Sequence, residues 1–117
     1  YIVKGSETLL NRFYSEKTVK GFTGTAGGFY GPQGRVLRLA IQDSALNQKM
    51  DSFAYNGIKM TNLEMETSAI YGLAKLLGHN ALALNAIIAN RANGTFSNDP
   101  YKPVDALIQY TLERLVK

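Results

Sequence analysis

The sequence predicts an α/β fold, in which helices and strands alternate along the chain and pack in layers. Segments with apolar residues three to four positions apart predict helices, and segments with alternating apolar residues predict strands between them. The run 81–89 is almost entirely apolar, which is typical of a strand buried on both faces of a sheet. Ligands of such folds usually bind at strand ends and in the loops that follow them.

The first helix and the first strand are predicted near the start of the chain. Ser6 can cap the helix, Glu7 suits its positively polarised beginning, and its apolar side carries Leu9, Leu10 and Phe13. Residues 17–26 show an alternation of threonines, which predicts a strand that ends at Gly27-Gly28.

A loop, a helix and a strand are predicted in the middle of the chain. Two glycines and a proline in residues 31–34 predict a loop. Residues 36–41 fit either a short strand or an extended loop, and residues 43–56 fit a helix that Asn56-Gly57 closes. Residues 58–63 predict a strand that leads into an acidic triplet.

Two helices and the buried strand are predicted in the remainder. Residues 67–77 predict a helix that Gly78-His79-Asn80 ends, with one apolar side formed by Ile70, Leu73, Ala74 and Leu77. The run 81–89 follows as the buried strand, and residues 93–103 follow as a loop. Residues 104–116 predict the last helix, whose inward side carries Leu107, Ile108, Thr111, Leu112 and Leu115.

Composition and charge exclude several classes of protein. The chain has no long apolar run, so no membrane-spanning helix and no membrane partner are predicted. It has no cysteine, which excludes disulfides and thiolate metal sites and fits a reducing cytoplasm. The net charge of +4 comes from scattered basic residues, so we interpret it as a solvated surface rather than a nucleic-acid site.

Glu64 and Glu66 flank Met65 where the predicted strand gives way to a helix. One interpretation is structural, since carboxylates near a helix start stabilise it by ~0.3–1 kcal/mol, and the spacing alone favours it. The other is a ribose site, in which a carboxylate accepts charge-assisted hydrogen bonds from two neighbouring hydroxyls. Met65 would then pack on the sugar face instead of filling the core.

The loop at residues 29–35 offers an aromatic ring, an amide and a guanidinium. A solvated turn would explain these residues without a function, and Phe29 would then anchor the loop in the core. A base site explains them as well. The Gln33 amide both donates and accepts, which suits the N3–H and O2 edge of uracil, whereas Arg35 only donates and suits O4. Phe29 would stack on the base.

Asn90-Arg91 directly follows the predicted buried strand. Arg91 is either the first exposed residue after that strand or a group that supports Arg35. His79 is the only histidine, and its place in a helix-ending turn indicates a structural or exposed residue. The sequence contains no metal-binding pattern, no nucleophile elbow and no known phosphate-binding glycine loop, so no metal site is predicted.

Taken together, these residues make the chain resemble the uridine phosphorylases of the nucleoside phosphorylase I superfamily. The resemblance spans nearly all of the chain and corresponds to the C-terminal part of a family enzyme. It rests on three motifs: Phe29-Tyr30 with Gln33 and Arg35, the triplet Glu64-Met65-Glu66, and Asn90-Arg91. The triplet is shared across the superfamily, whereas the loop with Gln33 and Arg35 is far more specific for uracil-type bases.

The resemblance implies phosphorolysis of uridine to uracil and ribose 1-phosphate, with inorganic phosphate as co-substrate and no cofactor. It implies that Gln33 and Arg35 hold the base, that Arg91 supports Arg35, and that Ile88 and Ala89 line the base pocket. It also implies that Glu66 binds the ribose 2′ and 3′ hydroxyls, with Glu64 and Met65 beside it. Arg35 would act catalytically by stabilising negative charge on the departing base.

The resemblance further implies a three-layer α/β/α sandwich with a central mixed β-sheet, and a homo-oligomer that is a dimer or a trimer of dimers. The family's phosphate loop has no counterpart here, so the phosphate ligands are unknown. We expect residues 1–117 to be the C-terminal part of a single nucleoside phosphorylase domain whose N-terminal part is absent. On its own, the chain is then expected to be inactive.

Two alternatives stay open. A purine nucleoside phosphorylase or nucleosidase of the same superfamily is less favoured, because its purine-cleaving members usually have Ser-Asp where this chain has Asn90-Arg91. Their aspartate can protonate the purine, whereas an arginine with a pKa above ~12 cannot act as that acid. A non-catalytic nucleoside- or nucleic-acid-binding module is the alternative of another class.

Overall fold

The computed structural model describes residues 1–116 and contains four α-helices and five strands in that range. The helices are α1 (Glu7–Phe13), α2 (Leu46–Ser52), α3 (Thr67–Leu76) and α4 (Tyr101–Leu115). The strands are β1 (Phe22–Thr25), β2 (Ala54–Tyr55), β3 (Ile58–Glu64), β4 (Ala89–Asn90) and β5 (Thr95–Phe96). Helices and strands thus mix along the chain, which confirms the α/β class.

Helix α1 packs against α4 around the most buried apolar side chain of the described residues. Ser6 caps α1 by accepting a hydrogen bond from the Leu9 N–H at 3.3 Å, as predicted. Phe13 at the end of α1 is only 5% exposed. Its carbonyl oxygen accepts a hydrogen bond from the Tyr110 hydroxyl at 2.5 Å, and Arg12 donates to the carbonyl of Arg114 at 2.8 Å. These contacts join the first and the last helix of the chain.

The main sheet has three strands in the order β1-β3-β2. Strand β3 pairs in parallel with β1 and antiparallel with β2, so the sheet is small and mixed. The parallel register aligns Thr25 with Glu64, and it shifts between Phe22 and Thr23. The Phe22 ring lies 5.4 Å from Phe53 and tilts against it, which packs β1 onto the segment before β2. The predicted strand 17–26 is therefore shorter, at Phe22–Thr25.

The predicted helix over residues 43–56 is wrong at both ends. Helix α2 covers only Leu46–Ser52, and β2 begins two residues later. Asn56 (φ 50°) and Gly57 (φ 78°) form the two-residue turn of the β2–β3 hairpin and do not cap a helix. Because both residues have positive φ, this pair matches the Asn-Gly signature of a tight hairpin, which outweighs helical spacing here. Strand β3 then confirms the prediction for residues 58–63.

Helix α3 follows β3 as predicted and ends just before Gly78 (φ 73°). The buried strand predicted for residues 81–89 is wrong. Residues 81–88 form no strand, and Ile87 and Ile88 are 55% and 45% exposed. An apolar segment forms a strand only where neighbouring backbone groups pair with its own. Within the described chain Ala89 is the one residue of this run that lies in a strand, where it pairs with Phe96 in the β4–β5 hairpin.

Three further predictions, for two loops and the last helix, agree only in part with the structure. Residues 36–41 form a loop that bends at residues 37–39 and not the short strand that was the other possibility. The predicted loop 93–103 contains β5 and the start of α4, which begins three residues before the predicted start. On the inward side of α4, Leu107 and Thr111 are partly buried, whereas Ile108, Leu112 and Leu115 are about half exposed.

No helix in the described part of the chain is long and apolar enough to cross a membrane.

Candidate functional site

The loop at residues 29–35 has a defined backbone. Residues Gly31–Gln33 form a single 3-10 turn, and Gly34 ends it with φ 71°. The Tyr30 carbonyl accepts hydrogen bonds from the N–H groups of Gln33 (3.1 Å) and Arg35 (2.9 Å). A side chain at Gly34 would collide with Asn47, because a Cβ there would lie 2.2 Å from the Asn47 Oδ1. Glycine is therefore required for both its backbone angle and its contact.

Arg35 folds back on its own loop. Its Nη1 donates to the Phe29 carbonyl and to Gln33 Oε1, each at 2.5 Å. Its guanidinium carbon lies 3.7 Å from the centroid of the Phe29 ring, which is a cation–π contact. The three residues predicted from the loop are thus brought together.

Gln33 and Phe29 differ in exposure. Gln33 is only 4% exposed, so its amide is fixed in place. Its Oε1 accepts from Arg35, and its Nε2 has no acceptor among the described residues. Phe29 is half exposed, at 50%, and Tyr30 meets its ring edge-on at a centroid distance of 5.2 Å. A second flat ring can therefore reach this part of the loop.

Arg91 reaches the same loop through Asn47. Asn47 Nδ2 donates to the Gly34 carbonyl at 3.0 Å, and Arg91 Nη2 donates to Asn47 Oδ1 at 3.4 Å. Partial burial lowers the pKa of Arg91, and the nearby positive charge of Arg35 lowers it further. The hydrogen-bonded link from Arg91 to the loop of Arg35 runs through Asn47 and the Gly34 carbonyl.

Both carboxylate oxygens of Glu64 accept hydrogen bonds from other groups of the protein. Its Oε2 accepts from the N–H groups of Glu66 (2.7 Å) and Thr67 (2.6 Å), and its Oε1 accepts from the Thr25 hydroxyl (2.5 Å). The Thr25 hydroxyl in turn accepts from the Ser68 N–H at 3.0 Å. Burial raises the pKa of Glu64, but these hydrogen bonds outweigh it and hold the pKa below its ordinary value. Glu64 therefore fixes the start of α3 to the end of β1.

The side chains of Glu66 and Met65 make fewer contacts with the rest of the protein than that of Glu64. Both side chains are exposed, and Met65 is 40% exposed. Glu66 Oε2 accepts from the Met65 N–H at 3.2 Å, and its Oε1 has no donor among the residues that the structure describes. Of the two carboxylates in the triplet, Glu66 is thus the one that can accept hydrogen bonds from a bound molecule.

The two candidate segments follow or end strands that pair in parallel, β1 and β3. Thr25 and Glu64 are register partners at the carboxyl ends of the two strands, and the Ala26 N–H donates to the Glu64 carbonyl at 2.9 Å. The loop 29–35 starts three residues after Ala26, and the acidic triplet is at the end of β3. No hydrogen bond joins the triplet directly to residues 29–35 within the described chain.

Ile88 and Ala89 make no hydrogen bond to the loop 29–35 within the described chain. They lie at the start of the β4–β5 hairpin, where Ala89 pairs with Phe96 and the Ile88 carbonyl accepts from the Ser97 N–H. Of this region only Arg91 bonds towards the loop, through Asn47. No group of three or more His, Cys, Asp or Glu side chains among residues 1–116 could hold a metal ion.

Two residues of this arrangement are missing from the sequence prediction. Asn47 links Gly34 with Arg91, and Thr25 links β1 with Glu64 and Ser68. Thr25 had a signal, since a hydroxyl at the end of a strand beside an acidic strand end is a natural hydrogen-bond donor. Asn47 had none, because it lies in a segment predicted simply as helix.

Comparisons with protein-family models, with curated proteins and with solved structures find no match.

Proposed function

We propose that this chain carries the base and ribose sites of a uridine phosphorylase, an enzyme that cleaves uridine with inorganic phosphate and needs no cofactor. The observation that supports this most is that the two segments extend from two parallel, paired strands. The loop 29–35 and the triplet 64–66 follow parallel strands whose carboxyl ends are in register. Ligands of layered α/β folds usually bind at the carboxyl ends of such strands and in the loops that follow them.

The base subsite is formed by Phe29, Gln33 and Arg35. The hydrogen bond from Arg35 leaves the second lone pair of Gln33 Oε1 for the N3–H of uracil, and Gln33 Nε2 is left to donate to O2. Arg35 still has Nη2 and Nε with which to donate to O4. Because Gln33 is buried and hydrogen-bonded, its amide is oriented before the base arrives, which lowers the entropic cost of binding. Ile88, Ala89 and Arg91 complete this subsite in the proposal.

The ribose subsite is formed by Glu66 and Met65. The exposed Glu66 carboxylate accepts hydrogen bonds from the 2′ and 3′ hydroxyls, and Met65 packs on the sugar. Glu64 contributes differently, because its two oxygens already accept three hydrogen bonds from the protein. Its role in the proposal is to fix the backbone of Met65 and Glu66 so that the ribose ligands are presented in one orientation.

The chemistry requires charge stabilisation on the base. The bond between C1′ and N1 breaks with its electron pair on uracil, while a phosphate oxygen forms the new bond to C1′. Negative charge therefore grows on the uracil ring, and Arg35 stabilises it from a fixed position. Arg91 adds a second positive charge nearby. Neither arginine has to transfer a proton for this role.

The proposal extends to the assembly and the location of the protein. We propose a three-layer α/β/α sandwich and a cytoplasmic homo-oligomer, a dimer or a trimer of dimers. Phe13 is the one buried hydrophobic residue among those described, while Leu39 and Leu76 are both 83% exposed. Exposed apolar surface on this scale is typical of regions that another polypeptide covers. Sedimentation of the natural polypeptide tests this part, and a stable monomer contradicts it.

Two measurements test the proposed activity. The first is phosphate-dependent release of uracil from uridine by the natural polypeptide that contains this sequence. The second is an NMR titration of the 117-residue chain with uracil, with adenine as the control. We expect uracil to shift the amide signals of residues 29–35 and adenine to leave them unchanged, while the isolated chain releases no uracil. Equal responses to the two bases, or no phosphorolysis by the natural polypeptide, would contradict the proposal.

A further inference from the structure

A second cleft lies away from the candidate nucleoside site. It is bordered by the residues before α1, the last turn of α3 and the segment after α3. Its volume is about 250 Å³, and it is lined in part by Lys4, Ser6, Tyr71, Lys75, His79 and Asn80. Helix α3 has ten residues, so the cleft and Glu66 lie at opposite ends of a helix about 15 Å long.

The charges around this cleft have one sign. Lys4 and Lys75 border it and no Asp or Glu side chain does. Neither lysine is in an ion pair, because Lys49 with Asp43 is the one ion pair within 4.0 Å among residues 1–116. Glu7, the nearest carboxylate along the chain, does not line the cleft. Two ammonium groups without a carboxylate favour an anion from solution.

The neutral groups of the cleft are donors as well. Asn80 Oδ1 accepts from the Ser6 hydroxyl at 2.8 Å, which leaves the Asn80 amide N–H groups without an acceptor among the described residues. The Tyr71 hydroxyl oxygen accepts from the Ala83 N–H at 2.7 Å, and its proton likewise has no acceptor there. Unpaired donors beside unpaired cations are the composition of an oxyanion site.

The negative end of the α3 dipole does not oppose this assignment strongly. The carbonyl oxygens in the last turn already accept hydrogen bonds: that of Leu73 from Leu77, and that of Ala74 from the His79 N–H at 2.7 Å. These carbonyls are therefore engaged within the helix end. The lysines, Asn80 and Tyr71 supply cations and donors to the lining of the same cleft.

We propose that this cleft binds a compact phosphate-bearing anion, at a site separate from the nucleoside site. Its volume of about 250 Å³ and its two lysines suit inorganic phosphate or a small phosphate ester. The inference does not depend on the proposed enzyme activity, because it uses none of the same residues.

The test is an NMR titration of the chain with inorganic phosphate at constant ionic strength. We expect saturable shifts of the Gly5, Ser6, Asn80 and Ala81 amides. The double variant Lys4→Gln/Lys75→Gln should weaken binding by about fivefold or more, since it removes both cationic partners of the anion. The matched control Lys59→Gln/Lys102→Gln removes the same charge from exposed positions outside the cleft and should leave binding unchanged. Lys75→Gln alone should give an intermediate effect.

Competition by sulfate and by acetate tests which kind of anion the cleft prefers. Sulfate should compete with phosphate, whereas acetate at the same concentration should compete weakly, because it is planar and carries a single charge. Shifts that rise linearly and spread over all lysine-rich surfaces would overturn the proposal, as would equal weakening in the cleft variant and the control. Because the shifted amides identify the site, phosphate binding near residues 29–35 or 64–66 would be recognised separately.

Discussion

The acidic triplet begins at the last residue of β3, and the loop 29–35 begins four residues after β1, but the two segments hold their charged groups in different ways. Glu64 is tied to backbone N–H groups of its own turn and to a hydroxyl on another strand. Arg35 is tied to a carbonyl, an amide and a ring that all belong to its own loop. Glu64 therefore connects β1 with the start of α3, whereas Arg35 makes these contacts within its own loop.

This difference separates structural from functional charges. Removing Glu64 would leave N–H groups of α3 and the Thr25 hydroxyl without their acceptor, so the fold would suffer. Removing Arg35 would affect mainly the loop, which the Gly34 turn and the Asn47 contact still hold. We therefore assign binding chemistry to Arg35 and Glu66, and structural support to Glu64.

The largest effect is expected for Arg35→Ala in the natural polypeptide. Loss of one preorganised group that stabilises developing charge typically costs ~2.7–4 kcal/mol, so kcat for uridine phosphorolysis should fall by about 10²–10³. Arg38→Ala is the matched control, because Arg38 is exposed on the same segment and makes no hydrogen bond to Phe29 or Gln33 in the described structure. Near-normal phosphorolysis by Arg35→Ala would break the assignment. Gln33→Ala should mainly reduce selectivity among bases.

The next effect concerns stability. Glu64→Ala removes the acceptor of three hydrogen bonds, two of them at the start of α3, and should lower the free energy of unfolding by about 1.5–3 kcal/mol. Glu66→Ala is the control, since it removes an exposed carboxylate two residues away and should change stability by less than about 0.5 kcal/mol. Urea denaturation measures both. Equal losses in the two variants would abolish the distinction between the two carboxylates.

A smaller effect is expected for Glu66→Gln on substrate binding. The shape of the side chain is kept, but hydrogen bonds to the ribose hydroxyls lose their charge assistance, which corresponds to roughly a tenfold weaker interaction. KM for uridine should rise while the melting temperature stays unchanged. Deoxyuridine, which lacks the 2′ hydroxyl, should be less affected by the same substitution. An unchanged KM together with a lower melting temperature would assign Glu66 to the fold instead.

Local signals predicted the parts of this molecule that local interactions determine. The Ser6 cap and helix α3 depend on nearby residues, and the sequence predicted both. The run 81–89 depends on neighbours elsewhere, because apolar residues favour burial without specifying which backbone pairs with them. The commitment of Glu64 to Thr25 could not be predicted either, since it depends on the register between two distant strands.

Asn56-Gly57 shows a different limit. An Asn-Gly pair is common both at helix ends and in hairpin turns. The helical spacing of the preceding residues led to the prediction of a helix end, which is wrong. Pairing of Ala54 with Lys59 selects the hairpin. The sequence predicted which kinds of side chain form the candidate site. It did not predict that Glu64 supports the fold while Glu66 stays available to a ligand, because that distinction depends on hydrogen bonds seen only in the structure.

The smallest effect is a pH dependence of stability that Glu64 contributes. Burial raises the pKa of Glu64, but its hydrogen bonds outweigh that effect, so the pKa in the folded chain lies below the ordinary value of 4.5. The unfolded chain therefore binds the proton more readily. The stabilisation is complete above the unfolded pKa and is lost as pH falls through the folded pKa, so the loss begins near pH ~5. Urea denaturation of wild type and Glu64→Gln between pH 7 and pH 3 should show a stability difference that shrinks as pH falls, whereas Glu66→Gln should show little difference throughout. A wild-type advantage over Glu64→Gln that stays constant down to pH 3 would mean that the hydrogen bonds of Glu64 do not depend on its charge, and the contrast between the two carboxylates would then rest on position alone.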